Sequence, residues 1–256
     1  MERPRRLTER RGFWYALAIL VVRPVLTVLT RRRWRGGQHI PAHGGVIVCP
    51  NHVSYADPLT FAHFVHDHGR LPRFLAKASL FTVPGLRALL EGTGQIPVLR
   101  ESDGASQALA AAIDAVRAGR CVAVYPEATI TRDPGLWPMA GKTGAARIAL
   151  ATGAPVIPVA QWGPQEILAP YAKRPHLLPR HTVHVVAGPP VDLSEFAGRE
   201  QTTEVLAQAT EKIMVAITEM LAQIRDERPP AVRFDPRTSD LPRTGNPRRR
   251  TDRGGA

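Results

Sequence analysis

Hydrophobic and polar positions change period several times along the 256-residue chain, and each change marks an element. Gly12 to Thr30 is almost wholly apolar, opens on Phe13, Trp14 and Tyr15, and is interrupted only by Arg23 and Pro24. Beyond it, short apolar runs alternate with stretches of helical periodicity. Strands are expected at Val46–Cys49, Arg73–Ala76, Gln95–Leu99, Val122–Tyr125, Val156–Gln161 and Thr182–Val186. Helices are expected at Pro58–His68, Leu80–Leu90, Ser102–Ala118, Lys142–Thr152 and Thr203–Ile224. This alternation implies an α/β domain, with a mostly parallel, mixed sheet covered by helices on both faces. Functional residues in such a sheet gather at the carboxyl ends of the strands.

Charge divides the chain more sharply than periodicity does. The formal net charge is +12, but residues 1–35 contribute +8 and residues 228–256 contribute +5, which leaves the middle at −1. Three regions follow: a basic and apolar segment over 1–35, a catalytic body over 36–227, and an Arg- and Pro-rich tail over 228–256 expected to be disordered. Two arginine-rich ends on a near-neutral body suit an anionic surface, either lipid or nucleic acid.

The apolar run decides between them, because nucleic-acid-binding arms do not carry one. Arg3–Arg11 and Arg31–Arg35 flank it and would lie at headgroup level, with the aromatics as interface anchors. A span needs about 20 apolar residues, and a central arginine is costly in hydrocarbon. The expectation is therefore a monotopic or peripheral helix on an anionic membrane surface, at the cytoplasmic face of the cell membrane, with no nucleic acid as partner. A run of this length also fits a core helix of the domain. Cys49 and Cys121 fall in expected buried strands, which suits a reducing compartment.

One turn-prone stretch, NHVSYADP at 51–58, crowds a histidine, hydroxyls and a carboxylate between a strand and a helix. On a regular helix His52 and Asp57 would point about 140° apart, so they meet only if the chain bends between them. Asp57-Pro58 reads as an N-cap followed by a first-turn proline, with His52 on the incoming loop. An aspartate facing the imidazole fixes its tautomer and leaves the other ring nitrogen to take a proton from a substrate hydroxyl. The same spacing also fits a plain helix cap beside a loop histidine. A second polar stretch, Pro126 to Arg132, brings Glu127, Thr129 and Arg132 after another strand. Arg132, with Arg100 at the end of a neighbouring strand, offers guanidinium forks for a phosphate. Glu127 and Arg132 also fit a surface ion pair.

These stretches resemble the conserved blocks of the glycerolipid acyltransferases, the family that includes the 1-acylglycerol-3-phosphate acyltransferases. NHVSYADP is similar to the Asn-His-x-x-x-x-Asp block. GQIPVLR (94–100), VYPEATITR (124–132) and APVIPVA (154–160) resemble the second, third and fourth blocks, in order, and the resemblance covers positions 36–190. It implies transfer of a fatty acyl group from a thioester, acyl-CoA or acyl carrier protein, to a lysophospholipid acceptor of lysophosphatidate type. His52 and Asp57 would be catalytic, with Asn51, Ser54, Arg100, Glu127, Thr129 and Arg132 at the substrate. No cofactor is implied, and direct attack by the acceptor hydroxyl needs no Gly-x-Ser-x-Gly nucleophile. The third block departs from the family's Glu-Gly-Thr-Arg: Ala128 stands for the glycine, Ile130 for the arginine, and Arg132 comes two residues late. That departure leaves open a non-catalytic lipid-surface module that keeps the fold.

Two other patterns are set aside. Gly135 to Gly141-Lys142-Thr143 has one residue too many, and Pro138 within it, for a phosphate-binding loop. His63, His66 and His68 lack a second ligand pair and read as a solvated helix end rather than a metal site.

Overall fold

A computed structural model describes residues 4–99, 102–239 and 246. Helix α1 (Phe13–Leu29) runs into strand β1 (Thr30–Arg35), a short 3-10 turn (Gly37–His39), and strand β2 (Val46–Pro50). Then come α2 (Asp57–Asp67), β3 (Pro72–Lys77), α3 (Leu86–Gly92), β4 (Ile96–Val98) and α4 (Ser102–Arg117). The chain continues through β5 (Cys121–Ala123), α5 (Gly144–Thr152), β6 (Val156–Trp162), α6 (Pro164–Ile167), β7 (His181–Ala187) and α7 (Thr203–Arg225). Pro84 and Gly85 break the helix expected over Leu80–Leu90, leaving a 3-10 turn at Ala78–Leu80 and a shortened α3.

The seven strands lie in the order β1-β7-β6-β2-β5-β3-β4. From β6 to β4 all neighbours are parallel, whereas β7 is antiparallel to β6 and carries β1 parallel to itself. The sheet is α/β and mostly parallel, as the alternation implies. Central β2 is buried at every position, and its side chains divide by the strand's period of two. Ile47 and Cys49 face a core with α4, α5 and α7, through Ala112, Ile148, Leu206 and Ile213. Val46 and Val48 face Phe61, Phe64 and Val65 of α2 on the opposite side. Both cysteines are fully buried thiols, and burial pushes Cys121 up to about 12.

The first 35 residues are more closely joined to the body than their composition suggests. Strand β1 is the edge of the sheet, so the sheet already includes Thr30–Arg35. The Arg5 and Thr8 amides donate to Asp67 and Gly69 carbonyls. Glu9 accepts from Arg70, Arg73 and Arg120. Against burial, these arginines hold its carboxyl below the usual range. All three precede or open strands, so residues 5–9 dock at the amino ends of the sheet instead of projecting as a headgroup-binding arm. Trp14 of α1 packs so close to Gly92 that a Cβ there would lie 1.9 Å from the indole.

Arg23, the charge expected to weigh against burial in lipid, donates to Asp67 at 3.1 Å while 42% of its side chain stays exposed. The exposed apolar residues of α1, namely Phe13, Leu17, Leu20, Val21, Val25 and Val28, follow helical spacing and share one uncharged side. Among the described residues no helix is long and apolar enough to cross a membrane.

The histidines of α2 are not a solvated helix end. His63 and His68 are buried, and His63 and His66 both lie against Asp67. Burial lowers His63 to about 4. The described part of the tail is docked as well: Ala140 N–H donates to the Phe234 carbonyl, and Arg233 pairs with Glu211. The rest of the tail, apart from Asn246, lies outside the described residues.

Candidate active site

The carboxyl end of β2 delivers Asn51 and His52 into a bend that closes on the first residue of α2. Asp57 is that first helical residue, and Ala56 is the N-cap. The carboxylate therefore does not cap its own helix; it turns back onto the loop before it. Asp57 Oδ2 accepts from Val53 N–H at 2.6 Å, from Ser54 N–H at 2.9 Å and from His52 Nδ1 at 2.8 Å. Two backbone donors fix the carboxylate, and the carboxylate fixes the imidazole. Burial pushes the Asp57 carboxyl up, against the pull of His52 and the two amides. With Nδ1 on Asp57, Nε2 is the ring nitrogen left for chemistry, and the side chain keeps 15% of its surface exposed.

The loop after β5 is stitched to the same bend. His52 N–H donates to Glu127 Oε1 at 2.8 Å, and Thr131 N–H donates to the His52 carbonyl at 2.8 Å. Glu127 Oε2 accepts from Met139 N–H. Both Glu127 oxygens are thus taken up inside the protein, and the residue is 2% exposed. Glu127, expected at the substrate, staples two loops together beside the His52 bend. It is also no surface ion pair, since burial pushes its carboxyl up to about 8.

Asn51 and Ser54 have structural partners too. Asn51 exchanges hydrogen bonds with the Gln161 backbone, and the Gln161 amide donates to the Asn51 carbonyl, which locks β2 to β6 at the rim. Ser54 Oγ donates to the Leu168 carbonyl at 2.6 Å and accepts from Ala56 N–H. Both are buried beneath the site, not lining its opening. Thr129 is half-buried and Arg132 is buried on the same loop. Arg100 lies outside the described residues. Ala128 adopts φ 57°, the left-handed conformation for which glycine is suited, and Ile130 is buried.

One residue at the centre of the site escaped the sequence reading. Tyr125 reads as the end of a strand, yet its ring stacks on His52 with centroids 4.3 Å apart, and Phe74 of β3 stacks behind it at 6.2 Å. The aromatic immediately before Pro126-Glu127 was the available signal, but only the β2-β5-β3 strand order brings it over the imidazole.

Known proteins resemble this chain over the same region. A family model described as Acyltransferase matches residues 31–162, a little over half of the chain. The chain belongs to this acyltransferase family. It is 34% identical over 125 residues to a 1-acyl-sn-glycerol-3-phosphate acyltransferase of Borreliella burgdorferi, a match covering 48% of each chain. It is 29% identical over 188 residues to a protein of that name from Salmonella typhimurium, over 72% of this chain and 71% of that one. The chain thus spans about half the length of the first relative and more of the second. The crystal structure of the 1-acyl-sn-glycerophosphate (LPA) acyltransferase PlsC from Thermotoga maritima shares the fold, with a TM-score of 0.61 and 22% identity over 84% of both chains.

Proposed function

We propose that this acyltransferase-family chain moves a fatty acyl group from a thioester, acyl-CoA or acyl carrier protein, to the free hydroxyl of a lysophosphatidate-like acceptor. The observation that carries the reading is the 2.8 Å contact between His52 Nδ1 and Asp57 Oδ2. It leaves Nε2 free to accept the acceptor's hydroxyl proton as that oxygen attacks the thioester carbonyl. The C–S bond then breaks, and the thiol leaves with a proton supplied by the imidazolium. Asp57 holds the ring and stabilises its charged form without taking the proton. Arg132 binds the acceptor phosphate, as its place on the adjoining loop and its charge suggest. The names borne by the relatives support the acceptor class.

The lipid substrates are met at a membrane surface, at the cytoplasmic face, with the uncharged side of α1 lying in the interface. Six exposed apolar residues on one side of that helix, with its arginine paired to Asp67 away from them, support this placement. A thioester-release assay across a panel of lysolipids, run on wild type and His52→Ala, tests the function. The expected result is release with phosphate-bearing lysolipids and loss of about 10²- to 10⁴-fold in the variant. Turnover by His52→Ala near that of wild type overturns the assignment.

A further inference from the structure

We propose that the loop over residues 169–180, together with edge strand β1, forms a second contact surface for an anionic lipid bilayer, on the rim that carries His52. The proposal rests on the membrane placement of α1 given above and extends it to a part of the chain distant in sequence.

Topology puts the loop at the rim. Strand β7 is antiparallel to β6, and its first residues lie beside the carboxyl end of β6, with His184 opposite Trp162. His181 in turn pairs with Thr30, where α1 ends and β1 begins. The loop that enters β7 therefore meets the last turn of α1 at the same end of the sheet as His52. Arg180 ties the two together by donating to the carbonyls of Thr27 and Thr30. At its other end the loop adjoins the catalytic bend: the Leu168 carbonyl accepts from Ser54, and Tyr171 donates to the Ile130 carbonyl and lies edge-on to Tyr55.

The chemistry of this surface fits anionic lipid. Leu177 and Leu178 are exposed, Leu178 at 79%, beside Lys173, Arg174 and Arg180 on a loop exposed throughout residues 173–180. Leucines at the tip of a soluble loop cost free energy in water and gain it in the interface. On β1, Arg31, Arg33 and Arg35 are exposed and share the face opposite Arg32 and Trp34, which pack toward α2, and Arg31 is nearest the rim, next to Thr30. Residues 10–56 and 167–191 contain no Asp or Glu. The surface formed by α1, β1 and this loop thus combines apolar points with basic charge and has no carboxylate of its own, which suits phosphate headgroups over a protein partner. Arg180 joins the loop to the last turn of α1, where Val28 is 67% exposed, and the loop's other end adjoins the catalytic bend.

Site-specific labelling tests the contact in the full chain. Both native cysteines are fully buried, so an environment-sensitive dye on a Leu178→Cys variant reports from the loop. On vesicles containing phosphatidylglycerol the dye should shift to the blue and lose most of its quenching by acrylamide; on phosphatidylcholine alone the effect should be weaker. Replacing Lys173 and Arg174 by Ala should weaken co-sedimentation with the anionic vesicles by about fivefold per charge removed. If the chain sediments with vesicles while the dye stays fully quenched, α1 holds the membrane and the loop inference falls alone. If the chain does not sediment at all, the membrane placement of α1 falls with it. A dye shielded without lipid, in proportion to protein concentration, would mean that a second copy covers the loop, and would overturn the proposal.

Discussion

The Tyr125 ring lies over the His52 imidazole with a centroid distance of 4.3 Å and an angle of 29° between planes. A positive charge on that imidazole would face the electron-rich side of the tyrosine, an attraction of about 0.5–2 kcal/mol that grows as water is excluded. The imidazole becomes charged only as it takes the acceptor's proton, so the contact would favour the reacting state over the resting one. The phenol hydroxyl is shut off from solvent and faces the Gln161 side chain, and burial, with the nearby Asp57, keeps it well above its usual range. Replacing Tyr125 by Phe, which keeps the ring, should leave turnover within about threefold, while Tyr125→Leu should lower kcat further, by up to about 30-fold, with little change in KM. Steady-state kinetics on both variants checks this, and equal losses in the two would place the effect in the hydroxyl.

Asp57 accepts two backbone amides as well as the imidazole. Asparagine keeps the size but loses the charge that stabilises the imidazolium. Its amide oxygen can take the place of Oδ2, which accepts all three donors, and its nitrogen that of Oδ1, which has no partner, so the substitution removes charge and leaves those contacts in place. The expected loss in kcat for Asp57→Asn is about 10²–10⁴-fold. Circular dichroism and thermal unfolding establish that the variant is folded, and a folded Asp57→Asn enzyme with normal turnover would remove Asp57 from the mechanism.

Arg132 sits on the loop stitched to His52 and is 6% exposed. If it holds the acceptor phosphate, Arg132→Ala should raise KM for a phosphorylated lysolipid by about 10-fold or more and leave KM for the thioester donor nearly unchanged. Equal effects on both substrates, or none, would locate the phosphate elsewhere. Lys142 is the next candidate.

Ala128 occupies a left-handed conformation, with φ 57°, on an exposed part of the loop. An L-residue there costs about 1–2 kcal/mol, and glycine removes that strain while adding about 0.5–1 kcal/mol of chain entropy to the unfolded state. Ala128→Gly should thus stabilise the protein by about 0.5–1 kcal/mol. Urea denaturation measures it, and destabilisation would show that the loop relaxes without cost around alanine.

Glu127 supplies a pH test. Its carboxyl is raised by burial to about 8, from 4.5 when exposed. Between those values the folded state holds a proton that the unfolded state has lost. Stability from this group is therefore complete below about pH 4.5, falls as pH rises toward 8, and has a limiting slope of about 1.4 kcal/mol per pH unit. Glu127→Gln cannot titrate, so the difference in unfolding free energy between wild type and variant should fall across that range. A pH-independent difference would show that the two amide donors keep Glu127 ionised.

Periodicity alone was sufficient for much of the fold. The apolar run of β2 and the helical periodicity of α7 are local patterns, and both survive within a residue or two in the structure. The His52 block was legible because its chemistry is local: histidine, bend and aspartate lie within six residues. Strand β1 was not. Its run of arginines looks like a solvated charge cluster until β7 supplies hydrogen-bond partners from 151 residues later. For the same reason Arg23 looked like a charge facing lipid, whereas Asp67 on another helix pairs with it. Asn51, Ser54 and Glu127 carry the same residue types whether they face a substrate or a backbone amide. Only the packing of β6 and the 126–142 loop assigned them to the interior. Sequence determined which groups stand near one another along the chain; tertiary structure decided which polar groups were already satisfied, because a hydrogen-bond partner across the sheet leaves no periodic trace in the chain.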